Sequence, residues 1–599
     1  MSSFPFPKFL RTTGPAILLA LVTLAVFSNT FRAPFVLDDT SSIKNNLSIR
    51  RLWPIESSSI GGTRGRPVAN VSFALNYRMS GLDPGSYHWT NLVIHVAAGL
   101  FLFGVIRRTL RLPIAQGRFS ELAVDGIAFG GALLWLIHPL QTEAVTYVVQ
   151  RTESLMGLHY LATVYCFARA VQSPMHRLAW QAFAVVACFA GMACKEVMVT
   201  APVAVLLYDR TFVAGTFRKA WRERGRVHLA FASSWIALAW LMSGLGDRGV
   251  GFANNVTPWE YALTESCVLL RYLKLSLWPA PLVFDYGADL SPSLADVWPC
   301  ALLVLMGIIG VFVALRFRPV VGFLLAWPFL TLAPTSSFVP VALQPMAEHR
   351  MYLPLAGVVL LIVIGAYRYL GVKAWIMVVA LACGLGTTAF RRNAVYADEI
   401  LLWQDTAEKR PGNARAHQNL GTVLLNAGQF PEAQRELERT LAIAPENFQA
   451  LNNLGIIYAR TGRAALAIAT FEEVLRTTPG FAEAHYNLGC LMLEQGRTRE
   501  AALCFEKAIQ LSPKYGAAHV NLAATLLAEQ KFREATEHYT AALEVLPGDA
   551  NLYLRRAYAY IQIGRTSEAM ADYASALKLQ PDLAEARHNL EVLRRASAR

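Results

Sequence analysis

Two adjacent carboxylates, Asp38 and Asp39, follow the first long apolar segment in the run Phe35-Val36-Leu37-Asp38-Asp39. A carboxylate at the mouth of a membrane bundle can take a proton from an acceptor hydroxyl while a sugar leaves a lipid-linked phosphate. Cations nearby would neutralise that phosphate as it departs. The chain offers suitable groups in short polar clusters between apolar runs. They are Arg66-Pro67 with Asn76-Tyr77, then Tyr87-His88-Trp89-Thr90-Asn91 with His95. His138-Pro139 with Glu143, Arg151 and Glu153 comes next, followed by Lys195-Glu196, Phe284-Asp285-Tyr286 and Glu348-His349-Arg350. Singly, each has a structural alternative. An Asp pair caps a loop, a His-Pro ends a helix, Lys195 and Glu196 form a local ion pair, and Glu348 and Arg350 anchor a helix at an interface.

The elements that must position these residues are apolar helices. Charged residues are 16% of the chain and cluster between long apolar runs. Eleven runs approach the ~20 residues that cross a bilayer: 14–31, 90–108, 122–137, 154–171, 178–194, 197–209, 228–245, 296–315, 320–334, 351–369 and 374–390. Basic loops mark the cytoplasmic side. Lys8 and Arg11, Arg107 to Arg118, Arg218 to Arg226, Arg316 with Arg318, and Arg368 with Lys373 all fall on one side if eleven segments span. The polar clusters then converge on the opposite face, which is a stronger argument than any one motif. Segment 260–279 decides the count. It carries Glu260, Glu265, Arg271 and Lys274, expensive in a bilayer, and is expected to be interfacial or re-entrant. If it spans, the count becomes twelve and the C-terminal half changes side.

Asp38 is the expected general base; Asp39 orients it, binds sugar hydroxyls or takes the base role itself. The candidates for holding the donor's phosphate or sugar are Arg66, His88, His138, Glu143, Arg151, Lys195, Glu196, Asp285, Glu348, His349 and Arg350. The net charge of +13 mostly reflects the inside loops, so no nucleic-acid partner is expected. The eight cysteines show no metal or redox spacing. Adjacent carboxylates can hold a divalent cation.

The C-terminal half is a repeat. Pro411, Pro445, Pro479, Pro513, Pro547 and Pro581 recur every 34 residues. Leu-Gly or Leu-Ala pairs at 420, 454, 488 and 522 keep step with them, as do Ala433, Ala467, Ala501, Ala535 and Ala569. Leu437, Phe471, Phe505, Tyr539 and Tyr573 hold a large apolar column. This is the tetratricopeptide (TPR) signature. Gly or Ala admits the partner helix, the large side chain fills the gap, and Pro ends the pair. A further column, Asn419, Asn453, Asn487 and Asn521, should face the concave groove, where an amide suits the backbone of an extended peptide. It resembles the asparagine ladder of the O-linked N-acetylglucosamine transferase superhelix.

In combination, the polar motifs and the order of the two halves resemble the transmembrane and tetratricopeptide repeat-containing protein family. That family belongs to the GT-C class and is related to protein O-mannosyltransferases. The resemblance implies an acidic catalytic motif at Asp38-Asp39, inversion at the anomeric carbon, and no required cofactor. Leu37 stands where relatives often have an aromatic, and Glu153 where they often have Asp. The expected architecture is all-α. A GT-C-like bundle of about eleven spans (1–390) leads through a linker (391–413) to five TPR repeats (414–583) and a capping helix (584–599). The expected protein is multi-pass, in a bacterial inner membrane or the endoplasmic reticulum, with periplasmic or luminal repeats. Its expected partners are a polyprenyl-phosphate-linked sugar, mannose-like, and an extended protein whose Ser or Thr accepts it. A glycan or lipid acceptor, or a non-catalytic scaffold for envelope assembly, are the alternatives.

Overall fold

The computed structural model describes residues 8–53, 63–115, 117–243, 256–288, 290, 293–337, 340–341 and 344–597. Parts of the expected outer loop (54–62) and of the 228–245 run (244–245), and the last two residues of the capping helix, lie outside them. Every regular element among the described residues is helical. The chain divides into two compact units, with the break between Ala416 and His417. The lead-in helix Glu399–Lys409 therefore belongs with the N-terminal unit.

Among the described residues, each of the eleven apolar runs is largely helical. Among the described residues, four helical stretches are long and apolar enough to cross a membrane: Pro84–Thr109, Glu196–Ala214, Leu294–Phe317 and the double-length Pro354–Val395. Glu121–Leu136 with Pro139–Thr146 makes a fifth, bent by 54°. Thr13–Val26, Arg177–Met192 and Pro319–Leu332 are apolar but shorter. Leu294–Phe317 is apolar all round and leaves its large side chains, such as Phe312 at 68%, exposed. A helix of that kind is stable only where hydrocarbon replaces water. Small residues let the other helices approach closely. A Cβ on Gly104 would lie 2.5 Å from the Tyr165 ring.

Segment 260–279 forms the helix Pro258–Leu277, opened by a capping box between Thr257 and Glu260. Its charged residues keep it out of the candidate spans, and it buries Tyr261, Glu265 and Tyr272 on one face. Cys267 is disulfide-bonded to Cys300 on Leu294–Phe317, a pairing the expected absence of redox spacing had missed. Partners 33 residues apart on separate helices leave no local motif. Cys490 and Cys504 are free.

The C-terminal unit is built from antiparallel helix pairs, such as Phe448–Arg460 with Ala464–Thr477, closed by Ala584–Ser597. The 34-residue columns become its core: Ala467, Phe471, Ala501, Phe505, Ala535 and Tyr539 are buried together. A Cβ at Gly455 would sit 2.6 Å from the Phe471 ring, which has no flexible end to move away. Gly455→Val is expected to cost about 1–3 kcal/mol through overpacking, read as lost hydrogen-exchange protection across 448–477.

Candidate functional site

The acidic pair lies in a turn whose geometry gives its two members different tasks. Asp39 is fully buried. Its Oδ2 accepts from the Val36 backbone N–H (3.0 Å) and its Oδ1 from that of Val149 (2.7 Å). Leu37 adopts a left-handed φ of 44°, an uncommon conformation for a bulky residue. The locked carboxylate and the strained Leu37 together turn the next side chain outward, and Asp38 is exposed. The Asp38 backbone N–H donates to the Tyr147 hydroxyl (3.0 Å). Enclosure by protein raises the Asp38 pKa, against the hydrogen bond from Tyr147 and the charge of Arg415. Burial pushes Asp39 up to about 8, opposed by its two backbone donors.

A chain of polar contacts runs behind this turn. Glu143 accepts both the His349 backbone N–H (2.9 Å) and, at 2.7 Å, the Nδ1 of its ring. Burial first, then the charge of Lys195, holds the His349 pKa well below its usual range. Lys195 and Glu196 do not pair with each other. Lys195 Nζ meets Glu153 at 2.6 Å and Glu196 meets Arg66 at 2.9 Å. Extended backbone at Lys195 lets these neighbours diverge to separate partners. The two pairs differ in how readily they exchange. Lys195 and Glu153 are buried, whereas the Arg66 and Glu196 side chains are 18% and 30% exposed. Arg66 belongs to the more solvent-accessible of the two pairs and is therefore the cation more readily lent to an incoming anion.

Glu348 lies beneath a strap, residues 282–287. Its Oε1 accepts from the Val283 N–H and the Tyr286 hydroxyl, and Arg392 lies 3.9 Å from its Oε2. Burial pushes Glu348 up to about 7. The far edge of the strap is held by the lead-in to the repeats. Lys409 donates to Leu282 O, Arg410 to Tyr286 O and Asn413 to Asp285 O, each at 3.0 Å, and Arg415 pairs with the Asp285 carboxylate. Phe284 in the strap packs edge-on against Tyr147, 5.3 Å away, the residue that holds Asp38. Asp285→Asn is expected to loosen this strap while leaving the thermal midpoint within a few degrees. The check is hydrogen exchange across 282–287 beside a melting curve.

Other predicted residues are spent on structure. Arg151 is fully buried and donates to Asn91 Oδ1 (2.6 Å), Asn76 Oδ1 (2.6 Å), Ser72 O (3.1 Å) and Tyr87 O (2.9 Å). Those partners are neutral. Arg350 donates to the carbonyls of Thr335, Gln344 and Pro345, closing the loop before it. His88 lies against Ala33 O (2.9 Å), and His138 caps its own helix by accepting from the Leu140 N–H (3.2 Å). Tyr147, Arg392 and Arg415 were not singled out in the sequence. The only local signal was a charge at the end of an apolar run, at Arg392. Among the described residues no group of three or more His, Cys, Asp or Glu is placed to hold a metal ion.

In the repeats the asparagine column is half used. Asn453 Nδ2 donates to Thr422 Oγ1 (2.9 Å) and Asn487 Nδ2 to Asn452 Oδ1 (3.0 Å), each one repeat back, and Asn521 Nδ2 donates to the Tyr486 hydroxyl (3.3 Å). The amide nitrogens staple successive repeats. Asn487→Ala is expected to cost about 1 kcal/mol, visible as a lower unfolding midpoint of the array.

Tetratricopeptide repeat models match residues 418–482, 482–515 and 526–591. The C-terminal unit is a TPR array. Over most of its length the chain is also similar to transmembrane and TPR-containing proteins. A Caenorhabditis elegans protein O-mannosyl-transferase, F38B6.6, is 24% identical over 73% of this chain and 64% of its own. The Drosophila melanogaster protein O-mannosyl-transferase Tmtc3 is 26% identical over 71% of this chain and 54% of its own. Human TMTC3, of the same description, is 24% identical over 72% and 51%. The chain thus spans between about half and 64% of the length of these relatives. Among solved structures, the TPR protein YrrB aligns at 20% identity and a TM-score of 0.26, covering 31% of this chain and 96% of its own.

Proposed function

We propose that this chain is a membrane glycosyltransferase that moves a sugar, mannose-like, from a polyprenyl-phosphate carrier to a Ser or Thr hydroxyl of a protein held by the TPR groove. The observation that carries the reading is the division of labour in the acidic turn: Asp39 is locked by two backbone donors, and Asp38 is presented outward. The names of the relatives support the reaction class.

In this reading Asp38 takes the proton of the acceptor hydroxyl as its oxygen attacks the anomeric carbon. The bond from that carbon to the phosphate oxygen breaks, its electron pair leaves with the polyprenyl phosphate, and the configuration inverts. Arg66 lets go of Glu196 to meet the phosphate, and Lys195 and His349 line the same wall. Glu143 fixes His349, and Glu348 with the strap braces Tyr147 and so Asp38. Arg66→Met should raise the donor KM about tenfold or more with a smaller change in kcat, because it removes binding rather than the base.

In this reading the repeats and the outer-face residues face the periplasm or the lumen. The Cys267–Cys300 bond supports this, since such bonds persist in oxidising compartments. The deciding experiment uses the full chain in lipid nanodiscs and follows label from a panel of polyprenyl-phosphate sugars to an unfolded secretory polypeptide. Transfer that disappears in Asp38→Asn supports the reading. A folded wild type that transfers from no donor in the panel rejects it.

A further inference from the structure

The richest basic segment of the chain takes no part in the site above. It is helical over Phe217–Ala232 with a kink at Arg224 (φ −136°, ψ 18°), and is capped by Thr216, whose hydroxyl accepts from the Lys219 N–H at 3.2 Å. The exposure of its residues on both sides of the kink separates a face against the protein from a face left open.

Ala220, Arg224 and His228 face the protein. The buried Asp209 accepts from Arg224 Nε (2.8 Å) and a terminal guanidinium nitrogen (2.9 Å), and lies 2.9 Å from His228 Nε2. This clamp fixes which face is left over. On that face Arg218, Arg222 and Arg226 form an exposed row. Glu223, the helix's one acidic residue, is engaged by Arg224 (3.0 Å) and Lys219 (3.9 Å). Beside the arginines, Phe217 and Trp221 are 53% and 52% exposed.

Arg210 sets the level of this face. It donates to Leu315 O at 2.9 Å, and its guanidinium lies 5.7 Å from the centre of the Phe217 ring. Leu315 is near the end of Leu294–Phe317, the candidate span with no buried stretch in its apolar window. That helix ends in Arg316, Phe317 and Arg318, all exposed. A helix that faces lipid along its length ends at the membrane surface, and Arg210 holds Phe217 at the same height. A merely solvated basic face has no use for exposed Phe and Trp. Cations beside aromatics at headgroup level are what a helix lying in the membrane plane requires.

The geometry points to a binding surface for anionic phospholipid headgroups, formed by Arg218, Arg222, Arg226 and Arg316, with Phe217 and Trp221 seated at the acyl boundary. The surface lies apart from the acidic turn and does not depend on the reaction proposed above.

Native mass spectrometry of the full chain, released from nanodiscs of equal phosphatidylglycerol and phosphatidylcholine, tests it. The wild type should retain phosphatidylglycerol in preference. R218Q/R222Q/R226Q should lose that preference by at least about tenfold, and R218K/R222K/R226K should keep most of it. R316Q with W221A leaves the Asp209 clamp intact and should also weaken the preference, so an unfolded triple variant does not stall the test. No preference in the wild type, or equal preference in the folded glutamine variants, overturns the proposal. So does an acidic peptide that displaces no phosphatidylglycerol yet binds the wild type and not R218Q/R222Q/R226Q.

Discussion

Asp38→Asn is expected to lower kcat by about 10²–10⁴-fold, with normal membrane insertion and an unchanged unfolding midpoint. The substitution keeps the size and the exposed position of the side chain, the backbone N–H bond to the Tyr147 hydroxyl is untouched, and an amide oxygen can still accept from that hydroxyl. Only the capacity to take a proton is lost. Single-turnover transfer beside a melting curve reads both quantities, and an Asn variant with wild-type turnover removes Asp38 from the mechanism. The pH dependence carries a second signature. In the proposed mechanism Asp38 works ionised, and enclosure raises its pKa. Turnover should therefore climb with pH through a midpoint above the ordinary aspartate value, and that limb should vanish in the Asn variant. Asp39→Asn differs in kind, because the amide keeps one acceptor oxygen but sets its NH2 against the other backbone N–H, so one of the two bonds that shape the turn is lost and the direction of Asp38 is disturbed.

Arg151→Met has the largest expected effect on stability. The guanidinium is the hub of the first outer segment, joining Ser72 and Asn76 of Pro67–Ser80 to Tyr87 and Asn91 of Pro84–Thr109. It also lies 4.5 Å from the centre of the Phe73 ring. Methionine matches its apolar stem but leaves two buried amide oxygens and two carbonyls without their donor. Each buried neutral acceptor left unmet costs about 1–3 kcal/mol. The thermal midpoint in nanodiscs should drop accordingly, and proteolysis should reach the 63–91 region first. A midpoint equal to wild type would show that these partners find other donors.

Much of this protein was legible in its residues. The 34-residue columns require nothing beyond themselves, because each TPR repeat packs on its sequence neighbours. The Ala and aromatic columns accordingly became the buried core. The apolar runs became helices for the same reason, since helical hydrogen bonds are local. Composition also showed that polar clusters were concentrated between those runs. What each charged side chain does was decided only by the fold. Arg66 meets Glu196 across 130 residues, Glu143 meets His349 across 206, and Asp38 leans on Tyr147 across 109. Lys195 and Glu196 are adjacent in sequence and yet turn to different partners. Asp38 and Asp39, alike in type and neighbours in the chain, became an outward carboxylate and a buried clasp. An ionisable group's role depends on who neutralises it and how much water reaches it, and both are set by contacts between distant segments. The sequence determined the two halves and their periodicity; the tertiary structure decided which charges hold the fold together and which remain open for chemistry.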